Sequence, residues 1–372
     1  MRKIVLFSLL LLLPLVAQAQ EPTAPKPPAK PAPPPFIIGV WYQPMSSFQV
    51  WKARAVNTLV GYESESNHVS VEDWTGTAAL NELFMITEPR AHVPNDPADP
   101  YTLAWMHHDE PDIQKPPTDP AALADDYADW KRTDPDRPVF VNVSGGNVLF
   151  RKVPQATYKA YFKAADWVGN DFYPVSGWAD PKLMPKLGEI VDTLRDWSGG
   201  KPQFAFIETA EQKLSWTPPN TPGVTPDQFR AEVWDAVIHG AHGIIYFPQS
   251  FGGGFKYDAT PSSVSIEMAK QDQLLTDLGP VLNTPANPDA VGVSTDFPIQ
   301  ATWRKTGEGV VYIFALNLSS ENRRGEILKL TGVKASTATL ANEEGRTLTI
   351  SHSSLIDDFT PYQVHIYTIK PE

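Results

Sequence analysis

Between Phe36 and about residue 283, short apolar runs alternate with stretches of helical composition, and this alternation limits the fold more than any other feature. The runs are Phe36–Tyr42, Thr58–Tyr62, Leu83–Thr87, Leu103–His107, Pro138–Val143, Trp167–Tyr173, Gln203–Ile207 and Gly243–Phe247. Each is nearly continuous in apolar residues, as parallel strands covered on both faces must be. The stretches between them include Ala121–Lys131, Pro154–Ala164, Pro181–Trp197 and Pro226–His239. The last sets Phe229, Val233, Trp234 and Val237 at helical spacing. Eight such repeats in about 250 residues predict a closed (β/α)8 barrel over residues 36–285. An open doubly wound sheet would carry a glycine-rich turn after its first strand, and Gln43-Pro44-Met45 stands there instead.

Beyond the barrel the pattern changes. Ile299–Arg304, Gly309–Asn317, Glu326–Leu330, Ala338–Ala341, Leu348–Ser351 and Gln363–Ile369 are short strand-like runs between Gly, Asn and Asp turns. The expected class is therefore α/β, a TIM barrel followed by a small all-β sandwich over residues 286–372. At the other end, Met1-Arg2-Lys3, the apolar run Ile4–Val16 and Ala17-Gln18-Ala19 read as a secretory signal peptide, residues 1–19, cleaved after Ala19. That run is shorter than the roughly 20 residues of a membrane span, so no insertion is expected after cleavage. Residues 20–35 hold eight prolines within Glu21–Pro35 and predict an extended, solvated linker. The expected location is secreted or periplasmic.

Composition removes several chemistries. With no cysteine there is no thiol nucleophile, disulfide or Cys-ligated metal. A formal charge of −12 argues against nucleic acid as a partner, and against an anionic membrane surface. Gly252-Gly253-Gly254 lacks the following Lys-Ser/Thr of a phosphate cradle. His107 and His108 are adjacent on a strand and point to opposite sides, so they do not suggest a metal pair. Neither a cofactor nor a metal is expected.

In such barrels the chemistry sits on the loops after the strands. Read this way, the first strand ends in Trp41 and Tyr42, and the second in Glu63. The fourth ends in His108, Asp109 and Glu110, the fifth carries Asn142, and the sixth Asp171 and Tyr173. The seventh ends in Glu208 and the eighth near Tyr246 and Gln249, with Trp216 in the loop between them. Two carboxyls about 5–5.5 Å apart perform retaining glycoside hydrolysis, one as acid/base and one as nucleophile. Glu110 and Glu208 are the candidates. The other residues are candidate sugar contacts, with Trp41 and Trp216 as flat apolar platforms.

These motifs resemble clan A glycoside hydrolases, the 4/7 superfamily of retaining (β/α)8 enzymes. Asp109-Glu110-Pro111-Asp112 is similar to the acid/base motif after strand 4, and Phe206-Ile207-Glu208-Thr209 to the nucleophile ending of strand 7. Asn170-Asp171-Phe172-Tyr173-Pro174 resembles a strand-6 ending, and the C-terminal β region an accessory sandwich. The resemblance implies Glu110 as acid/base, Glu208 as nucleophile and Tyr173 as its support. Asp109 stands where the superfamily commonly has asparagine, and Glu63 near where it often has arginine. The expected partner is a poly- or oligosaccharide, neutral rather than acidic given the chain's charge. A non-catalytic glycan-binding barrel is the alternative reading, and a metal-dependent hydrolase using His107 or His108 a third.

Overall fold

The computed structural model describes residues 31–66, 68–90, 96–284 and 292–370. The predicted signal peptide, most of the linker and the predicted barrel–sandwich boundary lie outside the described residues. The eight runs become parallel strands β1 (Ile37–Trp41), β2 (Thr58–Val60), β3 (Phe84–Thr87), β4 (Thr102–Met106), β5 (Val139–Ser144), β6 (Trp167–Asp171), β7 (Gln203–Glu208) and β8 (Gly243–Phe247). They pair in sequence order and close, β8 bonding back to β1 with Ile37 opposite Gly243.

The helices are α1 (Phe48–Ala53), α2 (Val71–Leu80), α3 (Pro120–Thr133), α4 (Gly145–Leu149), α5 (Gln155–Lys163), α6 (Pro185–Ser198), α7 (Pro226–Ile238) and α8 (Ser262–Leu282). Local chemistry starts them. Thr225 caps α7 in a reciprocal capping box with Gln228, and Pro226 follows at the first helical position. Asp119 caps α3 by accepting from the Ala121 amide, with Pro120 at the first helical position, and Ser70 caps α2. Gly199, in the left-handed region at φ 74°, ends α6.

Strand alternation sorts side chains between two cores. Ile37, Val60, Ile86, Ala104, Met106, Phe140, Phe204, Phe206 and Ile245 fill the barrel interior. Their neighbours Ile38, Val40, Leu59, Met85, Val141, Val168, Ala205 and Ile244 face outward, joining the core beneath the helices. Burying each larger side chain stabilises the fold by about 1.5–3 kcal/mol. The packed interior leaves the carboxyl ends of the strands as the open face.

The C-terminal strands are β9 (Gly292–Ser294), β10 (Ile299–Lys305), β11 (Val311–Asn317), β12 (Arg323–Thr331), β13 (Thr337–Leu340), β14 (Thr347–Thr349), β15 (Ser354–Phe359) and β16 (Val364–Ile369). They form two antiparallel sheets, ordered β10-β11-β16-β13-β14 and β15-β12-β9, around a separate apolar core. The first sheet packs on α7, where Trp234 stacks on Phe314 at 5.7 Å and Arg230 donates to the Tyr362 carbonyl. This contact lies outside the barrel and leaves the strand ends open.

Candidate active site

Continuing the alternation past each strand predicts which residues reach the mouth. Glu88 continues the inward set of Ile86, Asn142 that of Phe140, and Glu208 that of Phe206. Asp171 follows Gly169, two residues on along the same face.

The β1 end is held open by glutamines. Gln43 donates to the carbonyls of Trp41 and Tyr257 and accepts from the Trp51 indole at 2.7 Å. Gln249 donates to the Trp41 and Tyr42 carbonyls at 2.8 and 3.3 Å. Between them Tyr42 takes a left-handed backbone, φ 41°, which turns its ring into the mouth. Gly61, itself at φ 79°, makes room: a Cβ there would stand 2.3 Å from the Tyr42 ring. The Tyr42 hydroxyl donates to Glu88 at 3.3 Å, with Asp109 and Glu63 also close enough to raise its pKa behind the larger effect of burial. Trp41 meets the edge of Phe206 at 5.2 Å and is buried.

The β4 loop carries the acids. Glu110 also has a left-handed backbone, φ 44°. Its pKa is pushed up to about 7, chiefly by burial and then by the Asp109 charge, while a hydrogen bond with Asp171 works the other way. Asp109 accepts from the Asn142 amide at 2.9 Å, and burial raises it to about 6. Burial, with the charges of Glu110 and Asp109, raises Asp171 far above the carboxylate range. Asp112 anchors the loop from behind, accepting from the Ser144 amide at 3.0 Å and the Tyr158 hydroxyl at 2.9 Å. His108 is exposed, whereas His107 turns outward to the Ala164 carbonyl at 2.7 Å and packs on Trp130.

On the opposite wall, Glu208 is fully enclosed, its two oxygens accepting from the Val175 amide at 2.7 Å and the Ser176 amide at 2.6 Å. Burial raises its pKa, and these amides hold it down. Glu232 of α7 lies against it; burial and then the Glu208 charge raise the Glu232 carboxyl well above the usual carboxylate range. Tyr173 lies between the two walls, its ring packed at a tilt against Phe247 with centroids 4.9 Å apart. Its hydroxyl is buried without a partner, and its pKa is raised by burial and then by Asp171, Glu110, Asp109 and Glu208.

The structure thus brings Tyr42, Asp109, Glu110, Asn142, Asp171, Tyr173 and Glu208 together, with Glu63 near Tyr42, whereas Trp41, expected as a sugar platform, is buried in the barrel interior. Tyr246 is not among them: it faces the helices, and its hydroxyl donates to Asp272 of α8. Gln249 shapes the β1 end through backbone contacts. Trp216 is 67% exposed on the loop after β7, and Trp178, Phe251 and Phe255 are exposed on the neighbouring loops of the same face. Glu88 and Glu232 escaped the sequence reading. For Glu88 the available signal was its place two residues after the inward-facing Ile86; Glu232, inside a helix, gave none.

Residues 121–253 match the model of glycoside hydrolase family 42, described as beta-galactosidase. The matched stretch runs from α3 to the loop after β8 and so contains Asp171, Tyr173 and Glu208 but not Glu110. Among solved structures, the chain is similar to Gan42B, a family 42 beta-galactosidase, at 11% identity and TM-score 0.59, over 91% of this chain and 98% of that one. It is also similar to a candidate alpha-galactosidase/melibiase from Bacteroides fragilis, at 9% identity and TM-score 0.56, over 91% and 79% of the two chains. These two likenesses bear on the fold. No curated protein matches the chain in sequence. With the matched segment set in this closed barrel and followed by β-sheets, the chain is a glycoside hydrolase whose architecture is similar to that of the clan A, or 4/7-superfamily, enzymes.

Proposed function

We propose that this glycoside hydrolase is exported and cleaves a poly- or oligosaccharide with retention, using Glu110 and Glu208. Glu110, protonated near neutral pH, gives its proton to the leaving oxygen as the Glu208 carboxylate attacks the anomeric carbon. Glu110, now ionised, then takes a proton from water, which attacks the same carbon and releases Glu208. The observation that carries the reading is the Tyr173 hydroxyl, buried, unpaired, and acted on by both glutamates at once. The ring of exposed aromatics suits the apolar faces of sugars. The mechanism requires one movement, because Glu208, held by the Val175 and Ser176 amides, is fully enclosed and substrate must reach it. The family 42 match makes β-galactosides the first class to assay.

Glu208→Ala should lower kcat at least a thousandfold in a folded protein, with azide restoring turnover and giving the inverted glycosyl azide. Glu110→Ala should spare substrates with activated leaving groups in the first step. Wild-type turnover in both variants would sink the assignment. The closure of Glu208 favours a second reading, a barrel that binds glycans without cleaving them. That reading predicts affinity for an oligosaccharide panel with no release of reducing ends.

A further inference from the structure

A second hollow lies at the far end of the barrel from the mouth. It is a cavity of about 870 Å³ between the start of β8, the carboxyl ends of α6, α7 and α8, and strands β9 and β10. Alternation gives β10 two different faces. Ile299 and Trp303 pack in the core of the C-terminal sheets, and Gln300, Thr302 and Arg304 turn toward the cavity. Arg304 is half-buried there. Its Nε and Nη1 donate to the Leu282 and Trp303 carbonyls at 3.0 and 2.8 Å, and Nη1 also reaches Thr302 Oγ1 at 3.2 Å. Among the described residues nothing accepts from Nη2, and no carboxylate pairs with this guanidinium. Burial and then the Arg195 charge pull its pKa down, yet a guanidinium stays charged.

His239 and Arg195 stand on the facing wall. Both ring nitrogens of His239 meet acceptors, Asp192 Oδ2 and Gln300 Oε1, each at 2.6 Å, as an imidazolium requires. Burial opposes that charge, but Asp192 and Asp235 outweigh it and raise the pKa to about 9. Arg195 donates to the same Asp192 carboxylate and to the His239 carbonyl. One carboxylate thus serves two cations. Asp235, 3.6 Å from His239 and fully enclosed, is raised to about 7 by its burial and carries little charge at pH 6. Cations therefore outnumber ionised carboxylates around this cavity, in a chain whose formal charge is −12. The groups left free are donors, Arg304 Nη2 and the Nε2 of Gln300, whose carbonyl His239 occupies. Donors joined to positive charge suit an oxyanion. The space is far larger than an inorganic ion and matches pockets that hold whole small molecules. Phe297, 69% exposed, and Val293 give it an apolar edge.

We propose that this cavity is a second saccharide site, which takes a sugar residue bearing an oxyanion, either a carboxylate or a sulfate ester. The oxyanion accepts from Arg304 Nη2 and Gln300 Nε2, and the apolar face of the sugar lies on Phe297. A neutral sugar leaves Arg304 without a counter-ion. An inorganic ion leaves the apolar edge uncovered. The net charge of the chain disfavours acidic glycans in general, and the cavity reverses that field locally. It holds an acidic stretch of a glycan away from the mouth, where the carboxyls would repel it. The choice of a saccharide as the anion's carrier rests on the glycosidase reading given above.

The test uses the full chain carrying Glu208→Ala, at pH 6, so that binding is read without turnover. Calorimetry compares a galacturonate trisaccharide, a sulfated galactose trisaccharide and the neutral galactose trisaccharide. At least one acidic compound should bind tenfold or more tightly than the neutral one at 20 mM salt, an advantage that shrinks several-fold at 500 mM. The tighter of the two tells carboxylate from sulfate ester. Adding Arg304→Gln should weaken the acidic compound at least tenfold. Ser294→Asp, at an exposed position lining the cavity, should do the same by repulsion, and it decides the matter where Arg304→Gln does not fold. With Glu208 restored, both variants should turn over neutral oligosaccharides within twofold of the native chain. Acidic compounds bound no better than the neutral one, or equally well with and without these substitutions, overturn the inference and leave the glycosidase reading intact. Acidic binding that the substitutions abolish, in a chain whose Glu208 form releases no reducing ends from an oligosaccharide panel, supports the inference and overturns the glycosidase reading.

Discussion

Asp109 sits directly before the proposed acid, and its charge is the second cause, after burial, that holds Glu110 near pKa 7. Asp109→Asn keeps the shape and removes the charge, so Glu110 should lose its proton at lower pH. A general acid must be protonated to act, so the alkaline limb of kcat/KM should move to lower pH while the acid limb stays. A pH–rate profile with an unmoved alkaline limb would refute the coupling. Most of the mouth was legible because polar residues at the ends of apolar runs stand out. Tyr246 shows the limit: its run, Gly243–Phe247, is apolar throughout, as a strand buried on both faces must be. Without alternation the sequence does not say which face a side chain takes, and Tyr246 faces Asp272 on the helix side.

The β4 loop works as a unit tied to the helices after β5. Asp112, 2% exposed, holds the Ser144 amide at the start of α4 and the Tyr158 hydroxyl of α5, and its carbonyl accepts from Asn147. Asp112→Ala would leave a buried amide and hydroxyl unpaired, each costing about 1–3 kcal/mol. The expected outcome is a Tm several degrees lower together with a fall in kcat, because Glu110 two residues away loses its support. Thermal unfolding and steady-state kinetics check this, and an Asp112→Ala protein with native Tm and kcat would refute it. Element by element, all eight barrel runs appear as strands with ends shifted by no more than two residues. β15 was unread because Asp357 and Asp358 interrupt its apolar pattern. The structure buries Asp357 against the Tyr367 hydroxyl at 2.8 Å and His365, a long-range pairing invisible in the local sequence. α2 and α4 were unread because glycine and threonine dilute their helical composition.

Across the molecule, burial raises an unusual set of carboxyls: Asp109 to about 6, Glu110 and Asp235 to about 7, and Asp171, Glu232 and Asp272 further. These belong to both the mouth and the layer between barrel and helices. A carboxyl whose folded pKa exceeds its unfolded value keeps its proton longer in the native state. Between about pH 4 and 7 the folded chain therefore binds more protons than the unfolded one, and stability falls as pH rises. His239 acts in the same sense. Burial pulls it down, but Asp192 and Asp235 outweigh this and raise it to about 9, so its contribution is lost as pH climbs toward that value. Two groups oppose the trend: His107 and His242 are lowered by burial and cost stability as pH falls through the histidine range. Asp166, Asp192 and Asp357, lowered by their partners against burial, lose their contribution only below about pH 4. The balance favours the acids, so Tm should be higher at pH 5 than at pH 8. Glu232→Gln replaces a carboxyl held protonated with a neutral isostere, and it should raise Tm at pH 8 more than at pH 5. A Tm that rises from pH 5 to pH 8 in the native protein, or an equal effect of Glu232→Gln at both, would show that these buried acids are ionised in the folded chain.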